Sequence, residues 1–374
     1  MAFNYKRAKV IINLKNAKHN FLTIKNRLNL TKICCVVKAD AYGHGAVKLS
    51  KIFQKLGAHF FATATFEEGK ILRKNGIKKP ILILGYTPPQ LVKQLEFYNL
   101  SQTIHSQEYA KKLLKFCKKK GAKIKIHLKI DTGLGRVGFV CNNMQVNGLN
   151  KAVSILKNAK NFILEGVYTH FACADDYSLG KAYTIKQFKN FKFALNYLSK
   201  NGINFKIRHC GNSAVVFNYP KYYLDMVRVG IALYGIPPTK NAHKLKRVMQ
   251  LKTIIESVKT VKKGENVGYG LECFAKKDML LASLPVGYAD GIMRSTYKTN
   301  YKVLVNGKYC SFFGRVNMDK CTIDVTNLNV KVFDEVLIFG EDKISNVENL
   351  SMLNGTIPYE ILCGVTKRVK RVYK

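Results

Sequence analysis

Residues 32–45 read KICCVVKADAYGHG. An apolar run, Ile33 to Val37, delivers a lysine, and the chain then turns polar and glycine-rich. A lysine at the end of a buried strand is costly unless it snorkels to water, is paired or is chemically modified. By itself Lys38 reads as a solvated strand end. The pattern around it recurs, however: a short apolar strand, a polar turn, an amphipathic helix. After a helix over 15–29, the spacing predicts strands at 32–38, 59–65, 80–86, 101–106, 123–131, 162–171, 205–210 and 226–233, with helices between them. Apolar positions three and four apart, such as Phe188, Phe191, Leu195 and Leu198, mark the helices. Eight such units read as α/β, an N-terminal (β/α)8 TIM-type barrel.

Around Pro237-Pro238 the pattern changes. From about 248 the apolar residues alternate at period two, as in VLVNGKY, where Asn306-Gly307 gives a hairpin turn. The expected division is a barrel over 1–240 and a C-terminal, mostly antiparallel β domain over 241–374, to which residues 1–12 are expected to add a strand.

The 374 residues carry 63 Lys+Arg against 23 Asp+Glu, a formal charge of +40. That charge is mostly lysine, spread over the whole chain and with no RNA-binding module, so it reads as a solvated surface rather than a specific nucleic-acid site. The apolar runs are too short for a membrane span. The basic N-terminal stretch lacks the apolar segment of a signal peptide. Ten scattered cysteines with no C-x-x-C suit neither zinc nor a disulfide framework; reduced thiols in the cytoplasm are expected, and no metal site.

A (β/α)8 barrel does its chemistry at the C-terminal ends of its strands. There the unusual residues gather: Lys38 after strand one, Arg136 in DTGLGRVG after strand five, His170 after strand six, Asn212 and Ser213 after strand seven, Arg228 and Gly230 at strand eight. The glycine-rich stretches offer backbone N–H groups to a phosphate. A lysine beside a phosphate cradle suggests a Schiff base with a carbonyl substrate or with pyridoxal phosphate.

VVKADAYGHG resembles the pyridoxal-phosphate signature of the alanine racemases, the fold-type III family. The resemblance runs through HLKIDTGLGRVGF, EGVYTHFACAD, HCGNSA, DMVRVGIALYG, VGYG, LPVGYADG, GRVNMD and TIPYEILC in that order, covering essentially the whole chain. It implies interconversion of L- and D-alanine, with pyridoxal 5'-phosphate bound covalently by Lys38, to supply D-alanine for peptidoglycan; the alternative is a racemase of broader amino-acid preference. Tyr42, Ser213, Gly230, Ile231 and Tyr359 would hold the phosphate, with Asn212 alongside. Arg228 would face the pyridine nitrogen, and His170 would pack by the ring. Arg136 would bind the substrate carboxylate, steadied by Lys129, which is carbamylated in many members. Tyr269 matches the second base, and Met318 and Asp319 match residues lent to the neighbouring subunit of a homodimer. Tyr288 and Arg294 remain at the entrance, while Ile292 and Met293 stand where many members have Tyr-Pro. The chemistry fits this pattern. Inversion at Cα needs a base on each face, and a phenol is a poor base at neutral pH unless cations stabilise its anion. An arginine that stays protonated discourages protonation of the pyridine nitrogen, which weakens the electron sink and favours simple proton exchange.

Overall fold

A computed structural model describes residues 7–374. The expected N-terminal strand is therefore seen only from Arg7 on, and residues 1–6, which also belong to the segment read against a signal peptide, lie outside the described residues. Strand β1 (Ala8–Ile12) is followed by β2 (Lys32–Val36), β3 (Phe60–Thr63), β4 (Ile81–Ile83), β5 (Leu100–Ile104), β6 (Ile124–Asp131), the two-residue β7 (Phe139–Val140), β8 (Phe162–Tyr168), β9 (Ile207–His209) and β10 (Met226–Val229). Strands β10-β2-β3-β4-β5-β6-β8-β9 pair in parallel in that order, and β7 attaches to β6. The two ends of this sheet meet. Asp225 N–H donates to Arg208 O at 3.1 Å and Arg228 N–H to Gly211 O at 2.9 Å, which closes a barrel of eight strands. Strands buried on both faces explain the near-continuous apolar runs such as Ile33–Val36.

Helices cover the barrel because their ends are chemically specified. Asn13, Thr65, Ser106 and Asn212 each accept a hydrogen bond from a backbone N–H of the first turn. The helix Phe66–Lys74 also has a full capping box, Thr65 with Glu68.

The remainder is β-rich: β11 (Met249–Ile254), β12 (Ser257–Val261), β13 (Met279–Leu284), β14 (Lys302–Val305), β15 (Lys308–Ser311), β16 (Cys321–Asp324), β17 (Glu335–Phe339) and β18 (Lys370–Tyr373). One sheet runs β15-β14-β17-β11-β1-β18 and a second β12-β13-β16. All these pairings are antiparallel except β1 with β18. Asn306 and Gly307 both have positive φ, 47° and 76°, the geometry of the tight hairpin expected there. One apolar cluster continues from the barrel helices into the six-stranded sheet through Val10, Ile12, Leu251 and Val369.

A buried carboxylate ties the two ends of the chain to this region. Asp290 accepts from Arg7 at 2.6 and 3.0 Å, lies 3.1 Å from Arg368, and accepts from the Gly287 N–H at 3.0 Å. The turn it stabilises carries Tyr288, whose N–H bonds Asn317 O at 3.0 Å, next to Ala289 N–H on Met318 O at 3.0 Å. Replacing Asp290 by Ala leaves two guanidinium groups without their shared anion. The expected cost is about 2–3 kcal/mol, below the full value for a buried pair because both arginines are part-exposed. Urea denaturation checks it; an unchanged midpoint would contradict this role.

Candidate active site

The strand that delivers Lys38 ends earlier than its sequence suggests. Regular pairing stops at Val36, and from Ala39 to Tyr42 the backbone is left-handed, with φ between 51° and 57°. Four consecutive L-residues in that region cost roughly 1 kcal/mol or more each, so neighbouring groups must hold them. Glu68 Oε1 accepts from Ala39 N–H at 2.7 Å, and Asp40 Oδ1 accepts from Ala46 N–H at 2.7 Å. The same Glu68 that caps the next barrel helix thus sets how the chain leaves β2. Lys38 then lines a cavity of about 490 Å³ at the C-terminal ends of the barrel strands.

Around that cavity stand Tyr42, Lys129, Arg136, His170, Asn212, Ser213, Arg228, Gly230, Ile231 and Tyr359, all expected there. Arg136 is carried by a loop that Asp131 shapes: one carboxylate oxygen accepts from the N–H groups of Gly133, Leu134 and Gly135 at 3.0–3.1 Å. Lys129 is buried in β6 beside Arg136, Arg228 and Lys38; burial first, then those cations, bring it down to about 8, against a pull upward from Asp131. Ser213 Oγ accepts from the backbone N–H of Gly230 at 3.0 Å and of Ala232 at 3.4 Å. Tyr42 packs between Tyr234 and Tyr359. Gly230 makes room for Tyr42: a Cβ there would come 2.5 Å from the phenol oxygen and force it to move. Asn212 has a structural duty as well, capping the helix Ser213–Asn218 through Val215 N–H at 3.1 Å.

Arg228 is buried, and among the described residues no carboxylate touches it. Its Nη1 donates to His209 Nδ1 at 2.8 Å, and its Nη2 to His170 Nδ1 at 3.0 Å and Thr169 O at 2.8 Å. The guanidinium lies over the Tyr168 ring, 4.9 Å from its centre. Burial, then Arg228, push both His170 and His209 well below the usual imidazole range, so both rings are neutral acceptors toward the arginine.

The second group of expected residues does not border this cavity. Tyr269 lies between β12 and β13 and is 71% exposed; Met318 is 54% exposed. Asp319 pairs with Arg368 at 2.7 Å, Tyr288 is exposed, and Arg294 opens a short turn over Arg294–Lys298. The Tyr269 loop is nevertheless anchored, since Glu272 bonds Arg315 Nε at 2.9 Å and Tyr297 Oη at 2.5 Å.

The profile of "Alanine racemase, N-terminal domain" matches residues 12–238, and that of "Alanine racemase, C-terminal domain" matches 248–373. The chain belongs to the alanine racemase family. It is 40% identical over 369 residues to an alanine racemase of Clostridium tetani, covering 97% of this chain and 94% of the relative. Identity to alanine racemase 1 of Clostridium acetobutylicum is 41% over 369 residues, with the same coverage. The solved alanine racemase of Clostridium difficile 630 is 38% identical with a TM-score of 0.90, over 99% of this chain and 96% of that one. The Bacillus anthracis alanine racemase, solved with bound L-Ala-P, is 31% identical with a TM-score of 0.91, over 100% and 96%.

The family is one of fold-type III pyridoxal-phosphate isomerases. The cavity fits that cofactor on its own evidence. Gly230, where a Cβ would crowd the Tyr42 hydroxyl, the Ser213 hydroxyl and the Tyr42 phenol would hold its phosphate. The Nε–H of Arg228 has no acceptor among the described residues, which suits a ring nitrogen arriving as an acceptor.

Three residues that matter here escaped the sequence reading: Asp131, Tyr168 and His209. The motifs DTGLGR, EGVYTH and HCGN contain them, and polar residues inside barrel strands were the available signal. Asp131→Ala removes all three loop hydrogen bonds, each of them to a charged acceptor. The KM for alanine is expected to rise about tenfold or more as Arg136 loses its fixed position. Steady-state kinetics check it, and an unaltered KM would show that the loop holds its shape without Asp131.

Proposed function

We propose that this alanine racemase works as a homodimer with shared sites, Lys38 serving one face of the substrate Cα and Tyr269 of the second subunit the other. One observation carries this reading. The Lys38 half of the site is assembled within a single chain, whereas Tyr269 and Met318 are anchored in the β-rich region, exposed, and away from the cavity. A residue held in place yet left in solvent fits a site completed by another copy of the chain.

Bound pyridoxal phosphate supplies the electron sink that acidifies the Cα–H. Lys38 would hold it covalently, and its Nζ would serve as the base for the α-proton of D-alanine. Tyr269 Oη takes the α-proton of L-alanine. Each returns a proton in the opposite direction, so inversion needs both. Arg136 binds the substrate carboxylate. Arg228 stays protonated because a guanidinium keeps its proton in a protein, although burial lowers it, and it would withhold a proton from the ring nitrogen. The role is D-alanine supply for peptidoglycan in the cytoplasm; among the described residues no helix is long and apolar enough to cross a membrane.

Lys129 enters this reading as a carbamate. Its neutral amine adds CO2 at the carbon, a proton leaves, and a cation that repels Arg136 becomes an anion that attracts it. The sign follows from the depressed value of about 8: the reactive amine is a minor species at pH 7 and about half the population at pH 8. Holoenzyme in 13C-bicarbonate is expected to show a carbamate NMR signal that grows from pH 6.5 to 8.5 and is missing in Lys129→Ala. No signal at pH 8.5 would rule the modification out.

Lys38→Ala and Tyr269→Ala are each expected to lose at least 10²–10⁴-fold in turnover, and the first also its borohydride-fixable visible absorbance. Co-expressed with different tags, they should yield mixed dimers with one intact site and partial activity. Isolated mixed dimers without activity would sink the shared site, and wild-type-like turnover by Lys38→Ala the whole assignment.

A further inference from the structure

The buried Arg228 charge has a counter-charge, but a distant one. Arg228 donates to His209 Nδ1, so that nitrogen carries no proton. The neutral ring must then carry its proton on Nε2, which is 2.9 Å from His127 Nδ1. His127 in turn carries its proton on Nε2, 3.0 Å from Glu165 Oε2. Every imidazole proton therefore points away from the arginine, and the chain ends on a carboxylate. The Ser101 hydroxyl donates to the same oxygen, and Lys125 Nζ lies 3.9 Å from the other.

The barrel is shaped around this line of groups. The pairing of β6 with β8 slips by one residue: Ile126 faces Leu164 but His127 faces Gly166. Glu165 is the extra residue, and such a bulge re-aims a side chain. Gly166 leaves room for the ring, because a Cβ there would come 2.3 Å from His127 Nδ1. Tyr168 stacks on His209, ring centres 4.9 Å apart at 14°.

We propose that Glu165 is a positioning residue for the reaction: through His127 and His209 it fixes both imidazole tautomers and balances the charge of Arg228, and so sets how firmly Arg228 presents its Nε–H to the cofactor ring. This rests on the reading of Arg228 as the ring-nitrogen partner. Burial favours neutral His127 and His209, while the His127 and Ser101 bonds hold Glu165 low against its burial. Without the carboxylate either ring can flip its proton, and an N–H then faces the arginine. Such a defect acts on the electronics of the site rather than on substrate capture.

The test uses holoenzyme with 15N-labelled histidine. Wild type should show His127 and His209 as Nε2–H tautomers, assigned through His127→Gln. Glu165→Met should mix those tautomers, shift the cofactor's visible band and lower kcat roughly tenfold or more, as when a carboxylate that orients a catalytic or metal-bound histidine is lost, with KM for alanine nearly unchanged. Glu165→Gln keeps an acceptor oxygen but no charge, so it should keep the tautomers and lower kcat only a few-fold. A folded Glu165→Met variant with wild-type tautomers, band and kcat overturns the proposal, even if it melts lower, because that is a purely structural role. If Glu165→Met does not fold, Glu165→Gln decides: an unshifted band and wild-type kcat overturn the charge role. Failure of the cofactor reading itself looks different, since wild type would then show no visible band while the tautomers persisted.

Discussion

The organisation of the barrel mouth follows from burying one permanent positive charge. Arg228 cannot shed its proton, is almost fully enclosed, and has no carboxylate against it among the described residues. The structure distributes the charge over neutral acceptors: two imidazoles, main-chain carbonyls and the face of Tyr168. Those acceptors come from β8, β9 and the residues just beyond them, so the closing edge of the barrel and the electrostatics of the site are one construction. A carboxylate beside Arg228 would bury it more comfortably. It would also draw the guanidinium away from the cavity.

In a chain so short of acidic residues, three carboxylates each organise a segment that carries an expected site residue. Glu68 both caps a helix and pins the exit of β2; Asp131 gathers three N–H groups beneath Arg136; Asp290 joins Arg7 and Arg368 beneath the turn of Tyr288. The left-handed turn after Lys38 shows why such anchors are required. Its backbone is unfavourable residue by residue, and only bonds from other elements keep it there. A lysine on that turn enters the cavity instead of following the strand into solvent.

The division of labour between the two regions also has a physical origin. Parallel strands end together at one rim, which suits a cofactor pocket. The cavity at that rim is lined by Lys38 and its neighbours but not by Tyr269. The β-rich part of the chain builds a stiff base for Tyr269 through Glu272, Arg315 and Tyr297, but holds it outward. The proposed access to the second face by a residue of another subunit accords with that arrangement.

The alternation of apolar strands and amphipathic helices, the change to period two after the proline pair, and the Asn306-Gly307 hairpin were all legible in the sequence, because local periodicity and turn chemistry determine them. So were Lys38, Tyr42, Lys129, Arg136, His170, Asn212, Ser213, Arg228, Gly230, Ile231 and Tyr359 as cavity residues, since strand ends in a barrel converge wherever they lie in the chain. The end of β2 at Val36 was not legible, because ICCVV is apolar throughout and the turn that follows is held by Glu68, 29 residues beyond Ala39. The parallel pairing of β1 with β18 was hidden too, as it joins the two ends of the chain. Nor could the sequence order Arg228, His209, His127 and Glu165 into one line. Their contacts cross the barrel interior, and a one-residue slip between β6 and β8, which no local pattern encodes, decides where Glu165 points. Sequence determined which groups reach the rim; only the closed barrel decided which of them touch, because contact there depends on strand register and on the space that Gly166 and Gly230 leave open.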